Sequence, residues 1–545
     1  MKKRKLMFVL SVLFVFVLMP VVLYANDNVI RVTIDGRQVE FVDQGPVIVD
    51  GRTLVPVRGV FEALGFEVEW DEDTQQVTLT RADDEIVIVI GSDEFSANGE
   101  TKTLDVPAQI IGGRTMLPLR AVLESVGYGL DWDEGTRTVM VLTGEVPAYI
   151  TIRGERFSTT LTSLNLRGMD LTNEDIEPLR YMVSLTSLTL SENQISNIVP
   201  LANLTNLTEL SIEGWENSIY DITPLAGLRN LEILRISGSL LSDIAPVAGL
   251  TNLTTLYLSW NQIHDITPLV GLTNLTSLRL DYNPIRDITL LDNLANLSSL
   301  IVGGAGTNIH DLTPFIGLTN LEDLRIWDSQ LSDISLLSEF SELTRLSLSG
   351  NQISDITPLA SLRNLSHLHM DHNHISVLTP LAGLENLEVL TLGFNYISDL
   401  TPLVGLTNLI ALGLELNQVS DITPLTELTN LTQLFLSHNM VSDLTPLAGL
   451  KDLFDLFVDN NSISDIASLA GLTGLFQVSL ADNYISDITP LSRMWGLRSL
   501  NIQGNNISDL TALSELVRLE HLWVGDNPIT DWSPVAHVEN VIGRP

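Results

Sequence analysis

From residue 161 onward the apolar positions return with a fixed period. The stretches NLTSLRLDYNPIRDITLLDNLA (274–295) and NLTQLFLSHNMVSDLTPLAGLK (430–451) show the unit. The apolar position just past the turn falls at 195, 219, 241, 263 and onward to 529, at intervals of 22 residues except two of 24, which end at 219 and 309. Stacked repeats keep such a period, because one turn cannot bury its own leucines while neighbouring turns share a continuous core. Inside each turn the run x-L-x-L-x alternates with period two. It predicts a short strand with leucines pointing in and x residues pointing out. Strands stacked in parallel predict the concave wall of a curved solenoid of about 17 turns, on the order of 80 Å long at roughly 4.8 Å per turn.

The remaining invariants of the unit have structural readings. An asparagine follows the strand at 193, 217, 261, 283, 351 and in every later turn to 527, where its amide can bond backbone groups that a tight turn leaves unpaired. Met169, Ser239, Thr307 and Ser329 interrupt this ladder, so weaker turns are expected there. The element D-I-T-P-L predicts turns and short 3-10 helices on the convex wall, with Thr before Pro as the N-cap. Asp recurs in 14 of 16 turns and is replaced only at Asn197 and Val377. One carboxylate per turn, without a glycine-rich paired-acid loop, reads as capping rather than as a calcium ladder.

Before residue 161 a different pattern repeats. Residues 45–81 recur 62 positions later, pairing Gly51 with Gly113, Arg52 with Arg114, Pro56 with Pro118, Arg58 with Arg120, Glu62 with Glu124, Gly65 with Gly127 and Trp70 with Trp132. Each copy reads strand, turn, short helix, hairpin, an α+β arrangement. Gly65 and Gly127 suit helix C-caps, Arg58 and Glu62 an i,i+4 ion pair, and the two tryptophans core anchors.

The motifs GRTLVPVRGVFEALG…VEWD and GRTMLPLRAVLESVG…LDWD resemble the copper amine oxidase N-terminal domain-like family over roughly residues 28–143. That resemblance implies a non-catalytic stalk module of secreted bacterial proteins. No histidine precedes His264, and no Asn-Tyr-Asp/Glu motif for a tyrosine-derived quinone is present, so oxidase chemistry is not expected. The unit L-x-x-L-x-L-x-x-N-x-I-x-D-I-x-P-L identifies leucine-rich repeats and is similar to the internalin type of bacterial surface protein. That similarity implies adhesion or partner binding.

Charge and composition narrow the partners. With 67 acidic and 29 basic residues the formal charge is −38, which repels nucleic acid and anionic membrane. There is no cysteine, which excludes disulfides and thiolate chemistry. A basic start, MKKRK, followed by an apolar stretch to Ala25 predicts a signal peptide over residues 1–25. The expected organisation is then 26–144 for the two-copy domain, 145–160 for a linker leading into the solenoid, and 161–545 for the repeats. The product is expected to be secreted and extracellular or held at the cell surface, without membrane insertion after signal removal.

With the framework fixed, specificity has to reside in the free outward positions. On the expected concave face Arg235, Tyr257, Arg279, Arg325, Trp327 and Arg345 form one stripe, which His367 and His369 extend, and Phe435 and Phe457 form a second cluster. Arginine and aromatic residues are those enriched at binding hot spots. The stretch HLHMDHNH (367–374) offers two alternate histidines on one strand but no convergent third ligand, so no metal or other cofactor is expected. Those histidines would instead make contacts sensitive to mildly acidic pH. No HExxH, GxSxG or P-loop pattern appears and no catalytic residue is singled out. The expectation is a binding protein whose concave face takes a protein or glycan. The alternative is an extracellular hydrolase or metal-dependent enzyme with its site on that face.

Overall fold

The computed structural model describes residues 30–544, apart from 36, 134–136, 144–146, 286, 305–306 and 308. The expected leader lies outside the described residues. The chain divides into two compact units after residue 144.

In the first unit both copies build the same elements. Hairpin Val47–Val49/Arg52–Pro56, a short helix Arg58–Glu62 and hairpin Glu67–Asp71/Gln76–Arg81 make the first copy. Gln109–Ile111/Arg114–Pro118, helix Leu119–Glu124 and Gly129–Asp133/Thr138–Leu142 make the second. The copies join where Arg114–Pro118 pairs antiparallel with Arg52–Pro56. The strand Arg31–Ile34, which precedes the first copy, pairs in parallel with Thr138–Leu142 of the second and so ties the two ends of the unit together. Val55, Phe61, Leu79, Ile88, Leu117 and Leu123 are buried between the copies. Gly65 and Gly127 take positive φ (82° and 85°) after the two helices, which is the left-handed C-cap conformation. Arg58 and Glu62 approach to 3.9 Å with both side chains exposed. One expectation is corrected: Trp70 is 39% exposed and is not packed on the core, although its counterpart Trp132 lies on an edge strand as well. Trp132 packs, partly buried, on the core.

The second unit is a parallel sheet of 18 strands, from Ser163–Asn165 to Asn540–Ile542, in unbroken sequence order. Each strand pairs in the same register with the next, as in Arg345↔His367 and Leu346↔Leu368. The inward residues Leu346, Leu368, Leu390 and their equivalents are essentially inaccessible and form one continuous core. The segment expected as a linker is a hairpin, Tyr149–Ile152/Glu155–Ser158. Its Ile150 and Ile152 are buried in that core, closing the end that the first leucine turn would leave open.

The wall opposite the sheet consists of 3-10 helices such as Thr357–Ser361 and Thr423–Leu425. The cap is the aspartate and not the threonine. Asp355 Oδ1 accepts the Thr357 N–H (2.9 Å) and Asp421 Oδ1 the Thr423 N–H (2.8 Å). A carboxylate two residues upstream reaches the free N–H, whereas threonine is itself the first helical residue. Asn197 caps Val199 in the same way, and Val377 has no side-chain oxygen to do so.

The asparagine ladder holds as expected. Asn395 Nδ2 donates to the carbonyls of Met370 (3.0 Å) and Leu392 (3.0 Å), and its Oδ1 accepts the Ile375 N–H (2.9 Å), which staples adjacent turns. At the interruptions, Thr307 donates to the Asn283 carbonyl (3.0 Å) and Ser329 to that of Trp327 (2.7 Å), while the buried Ser239 hydroxyl meets no partner. Ser239 and Met169, whose thioether carries no amide to offer, are therefore the weak rungs. Among the described residues no helix is long and apolar enough to cross a membrane.

Candidate binding surface

Each strand presents three outward positions. In the middle column the strand register sets Arg235 beside Tyr257 and Tyr257 beside Arg279. The two guanidinium carbons lie 5.4 and 4.3 Å from the Tyr257 ring centre, one from each side. Arg235 also pairs with Glu209 at 2.7 Å. Arg279 is exposed and has no carboxylate within ion-pair distance among the described residues. Ile301, 3% exposed, follows and interrupts the expected stripe.

Beyond it Arg325 grips Asp323 with both arms of its fork, Nε to Oδ1 and Nη2 to Oδ2, each 2.9 Å. Trp327 stands opposite Gly303, with its indole N–H buried and without an acceptor. Arg345 is exposed and, like Arg279, has no ion pair among the described residues. The single stripe is thus two groups, one around Tyr257 and one around Arg325, Trp327 and Arg345.

His367 and His369 lie half-buried on the next strand. His367 Nδ1 bonds with the Ser366 hydroxyl (2.9 Å) and His369 Nδ1 with that of Thr391 (3.1 Å). Burial pushes the His369 imidazole below its ordinary pKa. Asp371 opposes that shift, while His367 and Arg325 add to it. Its charging therefore moves to more acidic pH than an exposed histidine would show. Asp371 turns away to cap backbone, taking the Gly393 N–H at 2.8 Å. Among the described residues no group of three or more His, Asp or Glu is placed to hold a metal ion.

Phe435 and Phe457 stack on adjacent strands, with centroids 5.2 Å apart and planes 15° apart. Two further aromatic groups line the sheet edge. Trp260 stacks on Tyr282 (3.6 Å, 13°), and Trp215 meets Trp260 edge-on at 4.9 Å. Trp215 lies in the first 24-residue turn and reaches past the turn of Gly238, which has no side chain to block it. His372 stacks on Phe394 at 3.8 Å. Trp260, Tyr282, His372 and Phe394 all have φ between 55° and 57°, a left-handed backbone that costs a side chain energy and that glycine adopts freely. Large rings are kept there against that cost. The repeat spacing by itself sets Trp260 and Tyr282 just beyond the strands. The reach of Trp215 depends on the inserted residues and was not visible.

Comparison with known proteins agrees with this architecture. Residues 33–141 match the copper amine oxidase N-terminal domain family. Residues 251–296, 319–361, 341–381, 363–405 and 495–537 match leucine-rich repeats. Among solved structures, an internalin (inlF) of Listeria monocytogenes is 35% identical with a TM-score of 0.50, over 60% of this chain and 88% of that one. A leucine-rich repeat protein of Leptospira interrogans is 22% identical, TM-score 0.55, over 70% and 95%. A plant peptide hormone receptor, RGFR1, solved in complex with RGF2, is 22% identical, TM-score 0.53, over 72% and 66%. The last two show the fold alone. A protein of Brevibacillus choshinensis named as a protease inhibitor is 26% identical over 140 residues, and the chain spans 40% of its length.

Proposed function

The chain belongs to the internalin-type leucine-rich repeat proteins, and from that premise we propose that it is a secreted or surface-displayed adhesion protein whose concave sheet face binds a protein partner without covalent chemistry. The observation that carries this reading is the pair of exposed arginines, Arg279 against the Tyr257 ring and Arg345 on the strand next to that of Trp327, which have no ion pair among the described residues of a chain of charge −38. Where carboxylates are this plentiful, unengaged guanidinium forks next to aromatic rings are groups suited to an outside partner. The two-copy N-terminal unit serves as the non-catalytic module that carries the solenoid. The leader over residues 1–25 directs export.

The test combines capture and stability. The immobilised chain should retain a partner from the surface fraction of contacted cells. Arg279→Glu combined with Arg345→Glu should abolish that capture while thermal unfolding stays unchanged. Unaltered capture by a folded double variant refutes the sheet-face reading. N-terminal sequencing of protein recovered from the medium tests export, and a start at Asn26 is expected.

A further inference from the structure

The outward positions of the sheet change sign along the solenoid. From the strand Ile233–Arg235 to Arg345–Ser347 they hold four arginines, at 235, 279, 325 and 345, against Asp281 and Asp323. Asp281 is 7% exposed and bonded by the Ser259 hydroxyl, and Asp323 is occupied by the Arg325 fork. From His367–His369 to Gln477–Ser479 the same positions hold Asp371, Glu415, Asp455 and Asp459 and neither lysine nor arginine.

Backbone capping accounts for two of these four carboxylates: Asp371 takes the Gly393 N–H (2.8 Å) and Asp459 the Ala481 N–H (2.9 Å). In the other two it leaves one oxygen each without a donor. Glu415 Oε2 and Asp455 Oδ1 are buried and meet no donor, and Asp455 uses only its second oxygen, on Gln433 Nε2 (2.8 Å). Leaving an acceptor unsatisfied in this way is costly. Burial pushes the Glu415 carboxyl above its ordinary pKa; its own backbone N–H and His372 oppose that shift, and Asp371 adds to it. These two carboxylates flank the Phe435–Phe457 stack, one from the outward column on each side of it. A ring pair with acceptors at both sides suits a lysine or arginine side chain, by cation–π attraction and charge-assisted hydrogen bonds together.

We infer that the sheet face reads the charge polarity of its partner, an extended protein segment whose acidic residues lie over Arg279 and Arg345 and whose lysine or arginine lies on Phe435 and Phe457 between Glu415 and Asp455. The inference rests on the sheet face being the partner surface. Arg345 and Phe435 are four strands apart, roughly 19 Å at about 4.8 Å per strand, a span an extended chain covers in about six residues. Reversed docking sets like charges opposite one another at both ends, which suppresses that alignment. The polarity therefore fixes direction as well as affinity.

The probes are two synthetic peptides of equal composition, a four-glutamate tract and a four-arginine tract joined by six neutral residues, in the two sequence orders. The whole chain is acidic enough to attract any arginine tract, so the readout is the difference between the orders. One order should bind at least roughly tenfold more tightly than the other at physiological salt. Arg279→Gln/Arg345→Gln and Glu415→Gln/Asp455→Asn, each checked for unchanged thermal unfolding, should each erase that difference. Equal affinity for the two orders, or none for either, overturns the inference. Cross-linking of the bound peptides separates the two readings. Peptides cross-linked to the sheet face without order preference sink the polarity alone, and peptides found only on the opposite wall sink the sheet-face function as well.

Discussion

The Arg279 guanidinium lies 4.3 Å from the centre of the Tyr257 ring, and that ring also supports Arg235 from the neighbouring strand at 5.4 Å. One aromatic side chain thus aligns two cations, from the turns on either side of its own. Tyr257→Ala should cost about 0.5–1 kcal/mol of stability per exposed cation–π contact removed. It should weaken partner capture more than that, because Arg279 loses the surface that holds it in place. Titration of the variant against the captured partner, beside a denaturant melt, checks this. Equal losses in binding and stability would mean that the ring serves only the fold.

The asparagine ladder makes a second prediction. Asn395→Ala removes one acceptor and leaves the Ile375 N–H and the carbonyls of Met370 and Leu392 without that amide. A buried unsatisfied group costs about 1–3 kcal/mol. Because stability in a repeat array resides in neighbour contacts, amide exchange should speed up in the turns around residue 395 and stay unchanged near residue 195. Uniform acceleration along the chain would contradict the nearest-neighbour picture.

Val377 offers the opposite case. It occupies the one turn after Asn197 where no side-chain oxygen takes the N–H of the 3-10 helix, and it is 58% exposed. Val377→Asp should restore the cap and stabilise the chain by about 0.5–1 kcal/mol. An unchanged urea midpoint would show that solvent serves that N–H as well.

Acid stability follows from the same caps. The Thr267 hydroxyl, then the Thr267 N–H, holds the Asp265 carboxyl below its ordinary pKa. Asp287, Asp311, Asp355, Asp399, Asp421, Asp487 and Asp509 are held down in the same way by the threonine two residues on. A carboxyl whose folded pKa is depressed contributes stability above its unfolded pKa and loses it as pH falls through the folded value. Asp281 and Glu415, raised by burial, act in the opposite sense but are only two. The buried His369, held below its ordinary pKa, gives up some stability as pH falls from 7 to about 5, and the urea midpoint should fall steeply only below about pH 4. A midpoint that rises on acidification would contradict this.

Much of this was legible in the chain because the period of 22 residues assigns each position to core, turn or outward face before any contact is known. Arg279, Arg325 and Phe435 were placed that way, and the structure puts each on the outward column expected. What the frame could not supply is the partner of each side chain. Arg325 is occupied by Asp323 and Arg279 is not, yet both sit in the same column. The unsatisfied oxygens of Glu415 and Asp455 are likewise a matter of geometry, although the segregation of acidic from arginine-bearing turns is legible once all three outward columns are written out. Trp70 shows the converse: a tryptophan repeated in both copies suggests a core anchor, yet both copies place it on an edge strand and Trp132 packs on the core while Trp70 is open to solvent.

Hydroxyl-radical footprinting of the chain with its captured partner tests the central claim most directly, since the sheet face carries reactive rings. Oxidation of Tyr257, Trp327, Phe435 and Phe457 should fall in the complex, while Trp495, exposed on a turn away from the strands, keeps its rate. Protection of Trp495 with those four rings unchanged would place the partner elsewhere and contradict the account.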